Sequence, residues 1–166
     1  VPYNAPRPDT TNLLNMLNVK YVLWPTELDR PGYELVRKDR FYLYKNNNRL
    51  PRAVLVPDYR VVTSGKELYE AMTNAAFDPA RTVFLDSPPD LEQPKEGSDP
   101  AKGMPPSPGT VTIQEYHNNS ITLDVESTGN YILFLSETFY PGWKAFIDGR
   151  PVRIHRANYA FRAVAV

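Results

Sequence analysis

The sequence predicts a β-rich α+β fold, in which a small mixed α/β layer is followed by a β-sandwich-like part. Short stretches of alternating apolar and polar residues recur along most of the chain and are typical of strands. Only two segments show the three-and-four spacing of an amphipathic helix. A proline-rich stretch, residues 87–109, is predicted to be a linker or exposed loop between a mixed α+β subdomain, residues 1–86, and an all-strand subdomain, residues 110–166.

The first predicted element is a short helix followed by strands. Asp9, Thr10 and Thr11 offer N-cap side chains before the leucines of residues 13–17, and Asn18 ends the helix. The next segments alternate with period two, and the second and third are expected to form a hairpin. Their ranges are 19–24, 33–36, 41–45 and 50–57.

The clearest helix begins after Ser64, which has the capping-box spacing to Glu67. Its apolar stripe predicts packing against the core rather than against a partner. The stripe consists of Leu68, Ala71, Met72 and Ala75. A short strand at residues 82–86 completes the first subdomain.

The second subdomain has the pattern of a sandwich, because six short strands alternate with turns. The strand ranges are 110–116, 120–127, 131–136, 144–147, 152–155 and 161–166. Asn118 and Asn119 are expected to form a tight turn. Asp148 and Gly149 predict a type I′ turn, since both central residues of that turn need positive φ.

Composition excludes several classes of function. The chain of 166 residues carries 19 basic and 19 acidic residues, so no net field attracts nucleic acid, which is not an expected partner. Without cysteine there are no disulfides, thiolate nucleophiles or cysteine-ligated metals. The longest apolar runs fall far short of the roughly 18 residues that cross a bilayer. Residues 1–8 lack the pattern of a signal peptide.

No catalytic residue, metal or cofactor is predicted. The sequence lacks a nucleophile elbow, a phosphate-binding glycine loop and a zinc-protease motif. His117 and His155 lie in strand-like segments without a second histidine at ligand spacing, which favours surface or strand-end positions. Glu137 with Asp148 would suit a glycosidase pair, but the turn already accounts for Asp148.

The densest cluster of aromatic and polar residues lies within residues 139–159. Aromatic rings here suit stacking on sugar rings, and the polar side chains suit hydrogen bonds to hydroxyl groups. The candidate glycan-contacting residues are Tyr140, Trp143, Arg156, Asn158 and Tyr159. For Trp143 the favoured interpretation is structural: Pro141 and Gly142 form a turn, and Trp143 fills the core of the sandwich, because burial of an aromatic ring is the larger energy term.

Two segments of this region resemble the C-terminal signature of the bacterial YfhO family of multi-span membrane proteins. Residues 139–152 read FYPGWKAFIDGRPV, and residues 156–164 read RANYAFRAV. Shorter matches precede them, namely LNVKYV at 17–22, YLYKN at 42–46, LPRA at 50–53 and FDP at 77–79. The resemblance covers most of the chain apart from the proline-rich stretch.

The resemblance implies a parent protein similar to C-type glycosyltransferases, which take sugars from polyprenyl-phosphate donors at the outer face of the membrane. Some relatives decorate cell-wall polymers such as teichoic acids. The family's catalytic acid belongs to a loop between early membrane helices, and no residue here matches it. Family members continue past the position of Val166 with a further strand and a membrane helix, which implies that the second subdomain is truncated.

Together with the absence of catalytic motifs, the resemblance implies a non-catalytic domain at the extracytoplasmic face of the bacterial cell membrane, accessory to glycosyl transfer onto cell-envelope polymers. Its expected partners are the membrane-embedded remainder of the parent chain, itself a glycosyltransferase candidate, and a cell-envelope glycan. One alternative is an independent carbohydrate-binding module, which predicts an exposed ring at Trp143 or Tyr159. Another is a purely structural or protein-interaction domain, which predicts that those rings are buried.

Overall fold

A computed structural model describes residues 11–91 and 108–166. The N-cap candidates Asp9 and Thr10 and most of the predicted 87–109 linker lie outside the described residues. The described parts form a β-rich α+β fold, which confirms the predicted fold class. The helices are α1, Thr11–Met16, and α2, Gly65–Thr73.

Thirteen strands form within the described residues. Those of the first part of the chain are β1 Tyr21–Trp24, β2 Tyr33–Lys38, β3 Tyr42–Asn46, β4 Ala53–Val56, β5 Asp58–Val61 and β6 Thr82–Leu85. Those of the second part are β7 Gly109–His117, β8 Ser120–Ser127, β9 Ile132–Thr138, β10 Ala145–Ile147, β11 Arg150–Val152, β12 His155–Ala157 and β13 Phe161–Ala165.

The largest sheet has six strands in the order β4-β9-β13-β12-β6-β5. Strands β4, β5 and β6 come from the first part of the chain, and β9, β12 and β13 come from the second. All neighbours in this sheet are antiparallel except β5 and β6. The two predicted subdomains therefore contribute to one sheet.

The six-stranded sheet packs apolar side chains on both faces, as the runs Ala53–Val56 in β4 and 132–135 in β9 show. Along β4, Val54 and Val56 face one core, while Ala53 and Leu55 face the other. Three side chains of α2 also pack against the first core, namely Leu68, Ala71 and Met72. The predicted apolar stripe is confirmed for these three residues. Ala75, its fourth predicted member, is exposed. The second core is covered by the β7–β8 ribbon, which contributes Val111, Ile121, Leu123 and Val125. Each fully buried large apolar side chain contributes about 1.5–3 kcal/mol to stability.

A separate three-stranded antiparallel sheet has the order β1-β3-β2. It is tied to α1 through asparagines. The Asn46 amide is buried and donates to Asn15 Oδ1 at 2.8 Å and to the Val19 carbonyl at 3.1 Å. Asn18, with φ of 56°, ends α1, and its amide donates to the Leu50 carbonyl. The predicted β2–β3 hairpin and the helix end at Asn18 are both confirmed.

The turn predictions also hold. Asp148 and Gly149 have φ of 49° and 77°, and Ile147 pairs with Arg150 across the turn. Asn118 and Asn119 connect β7 to β8. The predicted strand at 152–155 is wrong in its bounds: β11 starts immediately after the tight turn, and the chain then changes sheet before β12. Strand β5 was not predicted from the sequence, since Pro57 immediately before it lacks an N–H for ladder pairing.

Candidate functional site

Two loops at one end of β9 and β13 carry exposed tyrosines. The Phe139 N–H donates to the Ala160 carbonyl at 2.7 Å, which places the chain after β9 beside the β12–β13 turn. We call residues 139–143 and 158–160 the aromatic loops. Tyr140 is 69% exposed and Tyr159 is 71% exposed. The structure therefore brings two of the predicted glycan-contacting residues into neighbouring loops with their rings in solvent.

The backbone of the β12–β13 turn is strained at Tyr159. Asn158 and Tyr159 have φ of 43° and 76°, in the left-handed region. Asparagine tolerates this conformation, whereas tyrosine adopts it at a cost of about 1–2 kcal/mol. An exposed ring held on a strained backbone is a feature that proteins concentrate at functional positions.

Asn158 fixes this turn from inside the protein. Its backbone N–H donates to the Phe84 carbonyl at 2.8 Å, and its side-chain Oδ1 accepts from the Phe84 N–H at 2.8 Å. Its Nδ2 donates to Met16 Sδ at 3.1 Å. Asn158 is buried, so it positions Tyr159 and does not lie among the exposed side chains.

Arg156 and Trp143 complete the set of predicted contact residues. Arg156 is exposed on β12, and its Nε lies 3.9 Å from Asp86 Oδ2. Trp143 is half-buried, and its backbone N–H donates to the Tyr140 carbonyl at 3.2 Å across the expected turn. The prediction that Trp143 fills the core is wrong: the indole lies in neither core and covers Arg162, whose guanidinium carbon lies 4.1 Å from the ring centroid.

A charged cluster lies beneath Trp143 and was not predicted. It consists of Arg52, Tyr116, Glu137 and Arg162, which come from four distant parts of the chain. A bulge in β9 sets its centre, because Arg162 pairs with Leu135 but Phe161 pairs with Thr138. Glu137 therefore has no paired residue on β13, and its side chain contacts Arg52 and Arg162.

The carboxylate of Glu137 is shared among three side chains. Its Oε1 accepts from Arg52 Nη1 and from the Tyr116 hydroxyl, the latter at 2.6 Å. Its Oε2 lies 3.6 Å from Arg162 Nη2. The Arg162 side chain is only 7% exposed, and its Nε has no hydrogen-bond partner among the described residues.

Electrostatics keep Glu137 ionised. Burial by itself raises the pKa of Glu137, but the hydrogen bonds from Tyr116 and Arg52 and the charges of Arg52 and Arg162 lower it below its ordinary value. Burial lowers the pKa of Arg162, and the charge of Glu137 opposes this effect. A carboxylate held in its charged form is a poor general acid, and Asp148 sits in the exposed turn, so the geometry does not favour the Glu137–Asp148 pair as a glycosidase site.

A second polar group surrounds His155, which begins β12 and is buried. Its Nδ1 lies 3.0 Å from Ser87 Oγ, and that hydroxyl donates to Asp86 Oδ1 at 3.0 Å. Burial, aided by the charge of Arg153, lowers the pKa of His155, while Asp86 and Asp90 act in the opposite direction. The aspartate bonds the serine and not the imidazole, which differs from a catalytic triad.

His117 differs from His155 in being exposed, at the end of β7. Within the described ranges, no group of three potential metal ligands is found. In the same part of the chain, no helix is long and apolar enough to span a bilayer. Comparisons of the chain with protein-family models, with curated proteins and with solved structures find no match.

Proposed function

We propose that this chain is a non-catalytic, extracytoplasmic domain of a bacterial multi-span membrane protein, accessory to glycosyl transfer, which contacts cell-envelope glycan through Tyr140 and Tyr159. The observation that carries the glycan contact is the exposure of both rings on adjoining loops. The membrane and envelope parts of the proposal are supported by the sequence resemblance of residues 139–152 and 156–164.

The two tyrosines suit a sugar better than a metal or a nucleotide. A phenol ring offers an apolar face to the C–H groups of a pyranose and a hydroxyl to its polar rim. Arg156 is exposed on the adjacent strand and adds hydrogen-bond donors. A tyrosine side chain has only two rotatable torsions, so its ring loses little conformational freedom on binding, which favours affinity.

The predicted contact set divides into two roles. Tyr140, Tyr159 and Arg156 form the proposed contact surface, because their side chains are exposed. Trp143 and Asn158 have structural roles. The Trp143 ring covers Arg162, and the Asn158 side chain holds the turn that carries Tyr159. This division favours a binding surface at the aromatic loops over a purely structural domain.

Titration of the protein with isolated wall teichoic acid and with peptidoglycan fragments tests the proposal by calorimetry. We expect binding to the parent and a loss of at least about fivefold in Tyr140→Ser and Tyr159→Gly, since an aromatic contact residue at the centre of a binding surface contributes more than about 1 kcal/mol. Tyr159→Gly should keep or raise stability, because glycine adopts positive φ without strain.

Tyr69→Ser provides the matched control, since Tyr69 is 70% exposed and belongs to α2, not to the aromatic loops. Its glycan affinity should equal that of the parent. Failure of the parent to bind either polymer, or equal losses in the control, would contradict the proposed glycan contact.

A further inference from the structure

The three-stranded sheet ends in a tip that combines aromatic, aliphatic and basic side chains. Trp24, the last residue of β1, and Lys38, the last residue of β2, both pair with Tyr42. Residues 39–41 connect β2 to β3 beside them. We call residues 23–24 and 37–42 the hairpin tip.

The apolar side chains of the hairpin tip are uncovered. Leu23 is 62% exposed and Phe41 is 43% exposed. Neither hydrophobic core of the described residues includes a side chain from residues 19–46. Single exposed apolar residues are common on protein surfaces, so this exposure acquires meaning only together with the charges around it.

The hairpin tip carries excess positive charge in a protein whose net charge is zero. Arg37, Lys38 and Arg40 stand against Asp39, so the tip has three positive charges and one negative, a net of +2. Asp39 pairs with Arg37 at 2.7 Å, so the excess within the tip lies on Lys38 and Arg40. Glu27 is the nearby carboxylate that acts on Lys38.

The excess cations lie beside aromatic rings. Lys38 Nζ is 5.0 Å from the Tyr42 ring centroid, and the Arg40 guanidinium carbon is 5.7 Å from that of Phe41. Each of these two charges therefore lies next to an aromatic ring, so the charged and apolar parts of the tip form one surface. A partner must therefore accept both at once.

We infer that the hairpin tip is an interfacial anchor that binds the surface of an anionic lipid bilayer. Phe41 and Leu23 would enter the boundary of the acyl region, and Trp24 and Tyr42 suit the headgroup level, where amphipathic rings accumulate. Lys38 and Arg40 can extend their stems along the apolar surface while their charges reach lipid phosphates. The tip belongs to a different sheet from the aromatic loops, so this inference goes beyond the proposed glycan contact.

Vesicle co-sedimentation tests the inference with equimolar phosphatidylcholine and phosphatidylglycerol, and with phosphatidylcholine alone. We expect the parent to bind the anionic vesicles more strongly and to lose binding as salt rises. The double variant Lys38→Gln, Arg40→Gln should bind roughly 30-fold more weakly, since each basic residue near an anionic surface contributes about fivefold. Leu23→Ser with Phe41→Ser should weaken binding to both vesicle types.

Control variants carry the same kinds of change on α2, namely Lys66→Gln and Tyr69→Ser, whose parent side chains are exposed. Both should bind vesicles as the parent does. Circular dichroism of every variant verifies that the fold is retained. A tip variant that does not fold is replaced by Phe41→Ser or Lys38→Gln alone.

Quenching by brominated lipid gives an independent readout, because Trp24 and Trp143 are the two tryptophans. Quenching should be lost in Trp24→Phe and retained in Trp143→Phe. The inference is overturned if the parent ignores anionic vesicles, if tip and control variants bind equally, or if quenching follows Trp143. Self-association abolished by the tip variants, without vesicle binding, would assign the tip to a protein contact and also overturn it.

Discussion

At the scale of single residues, the charged cluster shows how a buried cation is tolerated. Arg162 is almost fully buried, and a buried charge requires a partner to offset the loss of hydration. Glu137 supplies the opposite charge at 3.6 Å, and the Trp143 ring covers the guanidinium on one side. The half-buried indole therefore stabilises the cluster, and its neighbour Tyr140 remains available to solvent.

We expect Glu137→Gln to lower the free energy of unfolding by about 2–3 kcal/mol, because Arg162 would then be buried without an opposite charge. Urea denaturation at neutral pH measures this loss. Glu115→Gln removes an exposed carboxylate from β7 and should change stability by less than about 0.5 kcal/mol. Equal stability of Glu137→Gln and the parent would show that the ion pair contributes nothing.

Because His155 is buried, we expect the stability of the protein to decline in mild acid. The pKa of His155 in the folded protein is lowered from its ordinary value of 6.5, so below that pH the unfolded chain binds a proton that the folded protein does not. The contribution of His155 to the free energy of unfolding should therefore be fully present above pH 6.5. It should fall as the pH decreases below this value, by at most about 1.4 kcal/mol per pH unit.

Urea midpoints recorded from above pH 6.5 down into mild acid test the His155 prediction. His155→Gln should flatten the decline, whatever its effect on absolute stability. His117→Gln removes the exposed imidazole and should keep the pH dependence of the parent. A steep decline that persists in His155→Gln would rule out this histidine as its source. The lowered pKa of Glu137 adds a separate loss that begins only below its ordinary value of 4.5.

At the scale of elements, local patterns specified most strands and turns. The Asp148–Gly149 turn and the Ser64 cap depend on neighbouring residues, so the sequence alone predicted them. The bulge in β9 depends on pairing with β13, which lies distant in sequence, and no local signal marks it. The charged cluster was missed for the same reason: Arg52 and Glu137 are 85 positions apart.

Two glycines allow a test of element geometry. Gly109 begins β7 with φ of 115°, and a Cβ there would overlap the Glu126 carbonyl of β8. Gly109→Ala should therefore destabilise the protein by at least about 2 kcal/mol. Gly65 begins α2 with open space around it, so Gly65→Ala should stabilise by about 0.4–1 kcal/mol. Chemical denaturation measures both, and a neutral Gly109→Ala would contradict the described β7–β8 pairing.

At the scale of the whole molecule, one sheet joins the two parts of the chain. The sequence predicted a change of pattern at residues 87–109, and the strands on either side meet in the six-stranded sheet. Local composition indicates where a loop interrupts the strands, but it does not determine which strands pair with each other. Sheet order depends on long-range contacts, and this is why it could not be predicted from the sequence.

The shared sheet should make unfolding cooperative. Neither β4 nor β6 can keep its buried apolar side chains without β9 and β12 beside it. Far-ultraviolet circular dichroism and tryptophan fluorescence should therefore give coincident urea transitions. Two separated transitions would mean that the parts fold independently.

Amide chemical-shift mapping gives the most direct test of the proposed contact between the aromatic loops and cell-envelope glycan. Isotope-labelled protein is titrated with isolated wall teichoic acid and with peptidoglycan fragments. We expect concentration-dependent shifts at residues 140–143 and 156–160, with the hairpin tip and α2 unchanged. Spectra that do not change with either polymer, or shifts confined to α2 or the three-stranded sheet, would show that the aromatic loops do not contact glycan.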